Sequence, residues 1–165
     1  LKEYIKHWKS INIKIIEKFI RDVNINNKTI LLHSNSNMIE CLFKEIKRIN
    51  GKVNVIQCMS SPENEGTIQY RILTANGINC RLINDDAIEQ YTKKLDFAVL
   101  GCDVYSNKYF LNKKGSYKIA KELSKINKPV YVLTDKRKYK KHFDRNKIQS
   151  KMFEAVPRKY VILYD

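Results

Sequence analysis

No two cysteines in this chain are spaced as C-x-x-C, and no histidine cluster lies near any of them. The four thiols, at positions 41, 58, 80 and 102, therefore match no common zinc site, and no metal is expected. Each sits in an apolar context, Cys58 and Cys80 in or beside predicted strands, which suits small core residues. Reduced thiols fit a cytosolic protein, so a cytoplasmic location is expected. No uncharged run approaches the ~20 residues that a membrane span needs, and no signal peptide is visible, so no membrane partner is expected. A glycine-rich phosphate fingerprint after a strand is missing too; this disfavours a dinucleotide, and no cofactor is expected. Internal repeats and linkers are absent. Acidic residues are the scarce charge: 17 Asp and Glu stand against 32 Lys and Arg, a net +15. That excess favours anionic partners such as phosphorylated metabolites, RNA or an acidic protein surface. Much of it is lysine spread along predicted helices among abundant Asn and Ile, as a biased codon supply would produce. Nucleic acid is therefore a possible partner but not the favoured one.

What is present describes a folded protein. With 165 residues, 43% hydrophobic and 10% aromatic, the chain can bury a core as one domain with an appended helical segment. Residues 1 to about 24 place Ile5, Trp8, Ile15-Ile16, Phe19-Ile20 and Val23 at helical intervals among lysines, an amphipathic helix with room for a break near Ser10 to Asn12. Asn24 to Asn27 then stop and turn the chain. We expect residues 1–27 to form a helical linker segment and 28–165 the domain proper. Short apolar runs at 29–32, 53–56, 79–83, 97–100, 130–133 and 160–164 read as strands. Helical patterns at 38–49, through 70–73, in a short piece to Lys93 and at 117–126 separate most of them. Strands alternating with helices at this spacing predict an α/β fold: a three-layer Rossmann-like sandwich with a mostly parallel sheet.

Candidate functional residues gather where predicted strands end. The stretch from Leu100 to Tyr117 reads as a polar loop between a buried strand and a helix, with Asp103 directly after the strand and Asn112-Lys113-Lys114-Gly115 just before the helix. In an open α/β sheet, ligands bind at the carboxyl ends of strands. An acid, an amide and an ammonium beside a helix N-terminus suit an anionic, hydroxylated small molecule. His33-Ser34-Asn35-Ser36-Asn37 delivers small polar side chains to another such junction, where at least one is expected to cap the next helix and where they can also hold a phosphate or sugar. Asp85 or Asp86 would cap the short helix to Lys93. The tract Thr134 to Lys141 is basic with a tyrosine in it; it could contact RNA, or send Lys136 or Lys138 toward the ligand site.

Four of these loops, in order, resemble one family. LLHSNSN at 31–37, SSPENEG at 60–66, GCD followed by NKKGS within 101–116, and NKPVYVL at 127–133 are similar to the carboxy-terminal domain of the family uniting the alpha, beta and delta regulatory subunits of translation initiation factor 2B with isomerases of ribose-1,5-bisphosphate and methylthioribose-1-phosphate. FEAVPRKYV at 153–161 resembles its closing segment. The likeness runs from Thr29 onward, and the start at Leu1 suggests a fragment lacking most of the family's amino-terminal helical domain. In the isomerases, the resemblance implies, a cysteine after the first strand and an aspartate after the fourth act as acid and base. Asp103 keeps the aspartate, but Ser34 stands at the cysteine position. A thiol can be tuned to exchange a proton near neutrality, whereas a serine hydroxyl needs a dedicated base, and His33 is the one candidate visible in sequence. Ser61 replaces the usual arginine before the proline, removing a bidentate anion partner. Asn112 and Lys113 match the family's substrate-contacting pair.

The expectation is a non-catalytic regulatory or scaffold domain that pairs with another copy or a paralogue and keeps a sugar-phosphate or nucleotide pocket. Ser34, Asn35, Asp103, Asn112 and Lys113 would line it, with Lys136 adding charge. The alternative is a divergent aldose-ketose isomerase with Asp103 catalytic and His33 or Ser34 as the other proton carrier.

Overall fold

A computed structural model describes residues 2–143, 150 and 152–165. Its central sheet has six strands: β1 (Lys28–Leu32), β2 (Val53–Cys58), β3 (Asn79–Ile83), β4 (Phe97–Leu100), β7 (Val130–Leu133) and β9 (Ile162–Tyr164). They lie in the order β3-β2-β1-β4-β7-β9, and every neighbouring pair is parallel. Among the described residues, five helices surround it: α1 (Lys2–Asp22), α2 (Asn37–Arg48), α3 (Gly66–Ala75), the short α4 (Ile88–Tyr91) and α5 (Ser116–Lys125).

The period-two alternation of strand side chains sorts the apolar residues into two cores. Ile30 and Leu32 of β1 and Phe97 and Val99 of β4 join the cluster that holds Ile16 and Phe19 of α1 and Leu42 and Ile46 of α2. Leu31, Ala98 and Leu100 face the other way, against Ile88 of α4 and Ile119 and Leu123 of α5. Helices therefore cover both faces of the sheet, the three-layer arrangement expected from the alternating pattern. Burying Ile15, Ile16 and Phe19 contributes roughly 5–9 kcal/mol before conformational entropy is counted, which explains why α1 lies against this face.

Three local features differ from the sequence reading. First, α1 is continuous through Ser10 to Asn12, because the Ser10 hydroxyl donates to the His7 carbonyl (2.7 Å) and so satisfies itself inside the helix. Second, the segment read as a polar loop contains a hairpin, β5 (Val104–Tyr105) and β6 (Tyr109–Lys113), which pairs antiparallel with β8 (Phe153–Pro157) in a small second sheet. The pattern was missed because Asn112 and Lys113 look like loop residues, yet both are buried on β6. Third, the last strand starts later than the apolar run, since Arg158–Tyr160 forms a 3₁₀ turn before it.

The strand order makes the site. From β1 the chain winds outward to β2 and β3, then returns to place β4 on the other side of β1. The crevice at the carboxyl ends of β1 and β4 is thus the topological switch point, where open α/β sheets bind ligands.

Candidate functional site

A cavity of about 510 Å³ opens at this switch point. After β1, Ser34, Asn35, Ser36 and Asn37 form one wall; after β4, Gly101, Cys102 and Asp103 form the facing one. Ser34 and Asp103 therefore share one rim of the sheet. Glu65 enters from the loop before α3, Asn112 from β6, Asp135, Arg137 and Lys138 from the segment after β7, and Asn12 from α1.

Ser34 is held in the left-handed region, at φ 66°. For a non-glycine residue that conformation costs of order 1–3 kcal/mol and persists only where the surroundings enforce it. Here two buried polar groups do so: the Ser34 N–H donates to the Ser60 hydroxyl (2.6 Å), and Gln57 Nε2 donates to the Ser34 carbonyl (3.1 Å). The Ser34 hydroxyl then donates to the Glu65 carboxylate at 2.7 Å. Burial alone would push Glu65 up, but the bonds from Ser34 and Lys113 and the Lys113 charge outweigh it and hold its carboxyl below the usual range. Glu65 is a poor proton acceptor. The sequence does not single it out, although it lies within the SSPENEG stretch after β2.

His33 does not serve as Ser34's base. Its ring is buried, with Nε2 2.8 Å from the Lys114 carbonyl oxygen and Nδ1 3.1 Å from the Ser60 hydroxyl. Facing a carbonyl, Nε2 must carry the proton, which leaves Nδ1 to accept from Ser60. Burial lowers the imidazole below its ordinary value and keeps it neutral. His33 thus joins the strand-end loops and does not line the cavity. Together with Cys58 and Asp85 it forms a group whose ligand atoms lie within 4.8 Å of one another. Asp85, however, already accepts from the Ser60 and Ser61 N–H groups (2.8 and 2.7 Å), and burial pushes the Cys58 thiol far up, so the cluster reads as a loop clasp. Asp85 therefore ties the 60–61 loop and makes no side-chain cap for the turn it begins.

The expected helix capping by the 33–37 segment takes another form. Ser36 occupies the N-cap position of α2 with no side-chain capping bond, so among the described residues its hydroxyl leaves the first-turn N–H groups beside the cavity unsatisfied. Its own N–H donates to Gln69 Oε1 (3.0 Å).

Lys113 is 1% exposed and lies between two glutamates, 2.9 Å from Glu63 and 3.3 Å from Glu65. It is therefore not a free cation at the cavity wall but the clamp that positions Glu65. Asn112 does line the cavity, and its Nδ2 donates to the Ser116 hydroxyl (2.9 Å) at the start of α5. Lys136 is exposed and absent from the cavity wall; the next two residues take that place. The 3₁₀ turn Lys136–Lys138 explains this: Asp135 caps it by accepting from the Arg137 N–H, and the turn swings Arg137 and Lys138 inward. Arg137 meets both oxygens of Asp135 (2.8 Å each) and stacks 4.3 Å over the Trp8 ring. Lys138 donates to the Cys102 carbonyl (2.5 Å). Asn12, from α1, presents an Oδ1 that is buried without a partner among the described residues. No sequence signal connects Asn12 or Trp8 with residues more than a hundred positions away.

Asp103 stands at the mouth. Desolvation by the walls raises its carboxyl, the Glu65 charge adds to this, and Lys138 partly offsets it. Cys102 cannot stand in for the missing cysteine, because burial pushes its thiol up to about 12. The site thus sets hydroxyl-matching polar groups, two cations and a helix N-terminus beside the carboxylates of Glu65, Asp103 and Asp135, the last already paired with Arg137.

Known proteins agree with this architecture. The chain is 32% identical over 130 residues to an eIF-2B subunit 2-like protein of Pyrococcus furiosus, covering 78% of this chain and 45% of that one. It is 28% identical over 127 residues to the ribose 1,5-bisphosphate isomerase of Archaeoglobus fulgidus, covering 76% and 39%. The crystal structure of a translation initiation factor eIF-2B from Pyrococcus horikoshii superposes with a TM-score of 0.89 at 21% identity, covering 98% of this chain and 64% of that one. The chain thus spans less than half the length of each of these two relatives. The model of the initiation factor 2 subunit family matches residues 1–162, and the chain belongs to that family.

Proposed function

We propose that this chain is a non-catalytic regulatory or scaffold domain of the initiation-factor-2B type, with a pocket that holds a phosphorylated, hydroxylated small molecule without converting it. The observation that carries this reading is the Ser34–Glu65–Lys113 relay. A proton carrier at position 34 would have to lose its proton to Glu65, and Lys113 keeps that carboxylate a weak base. Binding, by contrast, needs only what the cavity offers. Lys138, Arg137 and the uncapped start of α2 would take the phosphate, and Asn12, Asn35, Asn112 and Asp103 would take the hydroxyls. The domain would act by pairing with another copy or a paralogue.

Thermal melting with sugar phosphates and nucleoside monophosphates tests the pocket. The melting temperature should rise with concentration for one ligand class, by the equivalent of about 2.7 kcal/mol at a hundred times Kd. A flat response across the panel would remove the binding reading. The same mixtures followed by NMR should show no new sugar.

Isomerisation is the second reading, and Asp103 favours it: a carboxyl raised above its usual range is better placed to exchange a proton than an ordinary surface acid. Turnover of a pentose phosphate that disappears in Asp103→Asn would establish it in place of the first.

A further inference from the structure

The basic tract at 134–141 splits on folding. Arg137 and Lys138 turn into the cavity, whereas Tyr139, Lys140 and Lys141 remain outside and meet cations from two other segments. Tyr139 bridges to Tyr105 of β5, the Lys140 N–H donates to the Tyr105 carbonyl (2.8 Å), and the Tyr139 hydroxyl donates to Asn107 Oδ1 (3.3 Å). On the other side of the β5–β6 turn, the Arg158 N–H donates to the Lys108 carbonyl (2.9 Å), because Tyr109 of β6 pairs with Pro157 of β8. A groove of about 410 Å³ runs here, lined by Asn107, Lys108, Tyr109, Pro157, Arg158 and Lys159, with no acid in its wall.

None of Lys108, Lys140, Lys141, Arg158 and Lys159 enters an ion pair with a described acid. Two acids of the adjoining segments keep their charge but bond other groups: Glu154 accepts from the Gly115 and Tyr117 N–H groups, and Asp165 from the Tyr105 hydroxyl. Aromatic rings are interleaved with the charge. Tyr139 is 38% exposed, and Lys159 lies 5.0 Å over the Tyr160 ring.

We propose that this surface binds single-stranded nucleic acid, with the cations tracking the phosphates and Tyr139 offering a face for a base. Cations bordering a groove beside an exposed ring are what such binding needs, since stacking is sequence-tolerant and phosphates need only charge. An acidic protein would use the charge but not the ring.

The test is fluorescence anisotropy of a labelled oligouridylate of about 16 nucleotides with the intact chain. Binding should weaken steeply between about 50 and about 200 mM salt. Replacing Lys108, Arg158 and Lys159 together by Gln should weaken it about tenfold and flatten the salt slope by about 2. The same charge change at the exposed Lys14, Lys44 and Lys121 should leave affinity within about threefold. Tyr139→Ala, which keeps every charge, should weaken binding by about fivefold or more, and melting curves would show that each variant folds. The proposal is overturned by absence of binding at low salt, by equal loss in the two triple variants, or by duplex binding as tight as the single strand. Displacement by polyglutamate as effective as by unlabelled oligouridylate would also overturn it and assign the surface to an acidic protein.

Discussion

Gly66 shows how little freedom the loops around the cavity have. A Cβ there would lie 1.8 Å from the Cys58 carbonyl oxygen and 2.8 Å from Gln57 Nε2. The Gly66 N–H also donates to the Met59 carbonyl (3.0 Å), so the backbone cannot back away without breaking that bond. Gly66→Ala should destabilise the chain by about 3 kcal/mol in urea unfolding, and a loss below about 0.5 kcal/mol would refute this packing account. Asp103 carries the opposite kind of constraint. Its carboxyl is raised mainly by desolvation, so its ionised form is less favourable in the folded than in the unfolded chain, and ionisation costs stability at neutral pH. Asp103→Asn should therefore raise the melting temperature at pH 7, by under about 1 kcal/mol equivalent because the residue still meets water. The gain should vanish in acid, where both states are protonated. A melting temperature lowered at pH 7 would mean that Asp103 is a structural partner and not a strained site residue.

At the scale of elements, one carboxylate of the small antiparallel sheet bonds the start of α5, beside the packing of Phe110 and Val156 in the shared core. Glu154 of β8 accepts from the N–H groups of Gly115 and Tyr117 (2.8 Å each), capping α5 from a strand distant in sequence. Gly115 occupies φ 104° as it enters that helix, and a Cβ there would press on His33 at 2.8 Å, so the position suits glycine on both counts. Loss of an N-cap acceptor costs about 1 kcal/mol, and Glu154→Ala should lose about that in chemical unfolding, with Glu154→Gln losing less. Equal stability of wild type and Glu154→Ala would show that the cap has no energetic weight. Helix α1 likewise works at this scale. Its second half is anchored by Ile15, Ile16 and Phe19, and its middle brings Asn12 to the cavity and Trp8 under Arg137.

For the whole molecule, acid should act in two stages. Burial keeps the His33 pKa low, so the unfolded chain takes up this proton first, and stability falls as pH drops through about 6.5 toward the lower folded value. Glu65, Asp96 and Asp135 are held below the usual carboxylate range. For Glu65 and Asp96, burial opposes the shift but is outweighed by hydrogen bonds and lysine charge; for Asp135, the bonds from Arg137 dominate. Their stabilisation is present above about pH 4 and is lost as pH falls through their depressed values. Melting temperature against pH should thus show a shallow step between about pH 7 and 5 and a steeper one below about 4. A profile flat down to pH 4 would contradict the buried neutral His33.

The alternation of strands with helices and the mostly parallel sheet were legible in the sequence, because the period of apolar residues reports which side of a strand or helix faces a core; the small sheet of β5, β6 and β8 and the strand order that makes the switch point were not. Ser34, Asn35, Asp103 and Asn112 were grouped in one pocket by the resemblance of their loops to the family, not by that period. Only the tertiary structure decided what each of them touches. Lys113 reads as a loop cation, yet it is buried against Glu63 and Glu65; Lys136 and Lys138 both read as reaching for the site, yet a 3₁₀ turn presents Lys138 with Arg137 and leaves Lys136 out; β8 and β6 pair across forty residues or more. Hydrogen bonds and ion pairs between distant segments leave no periodic trace, since each depends on where two backbones approach and not on the spacing of residues along either one.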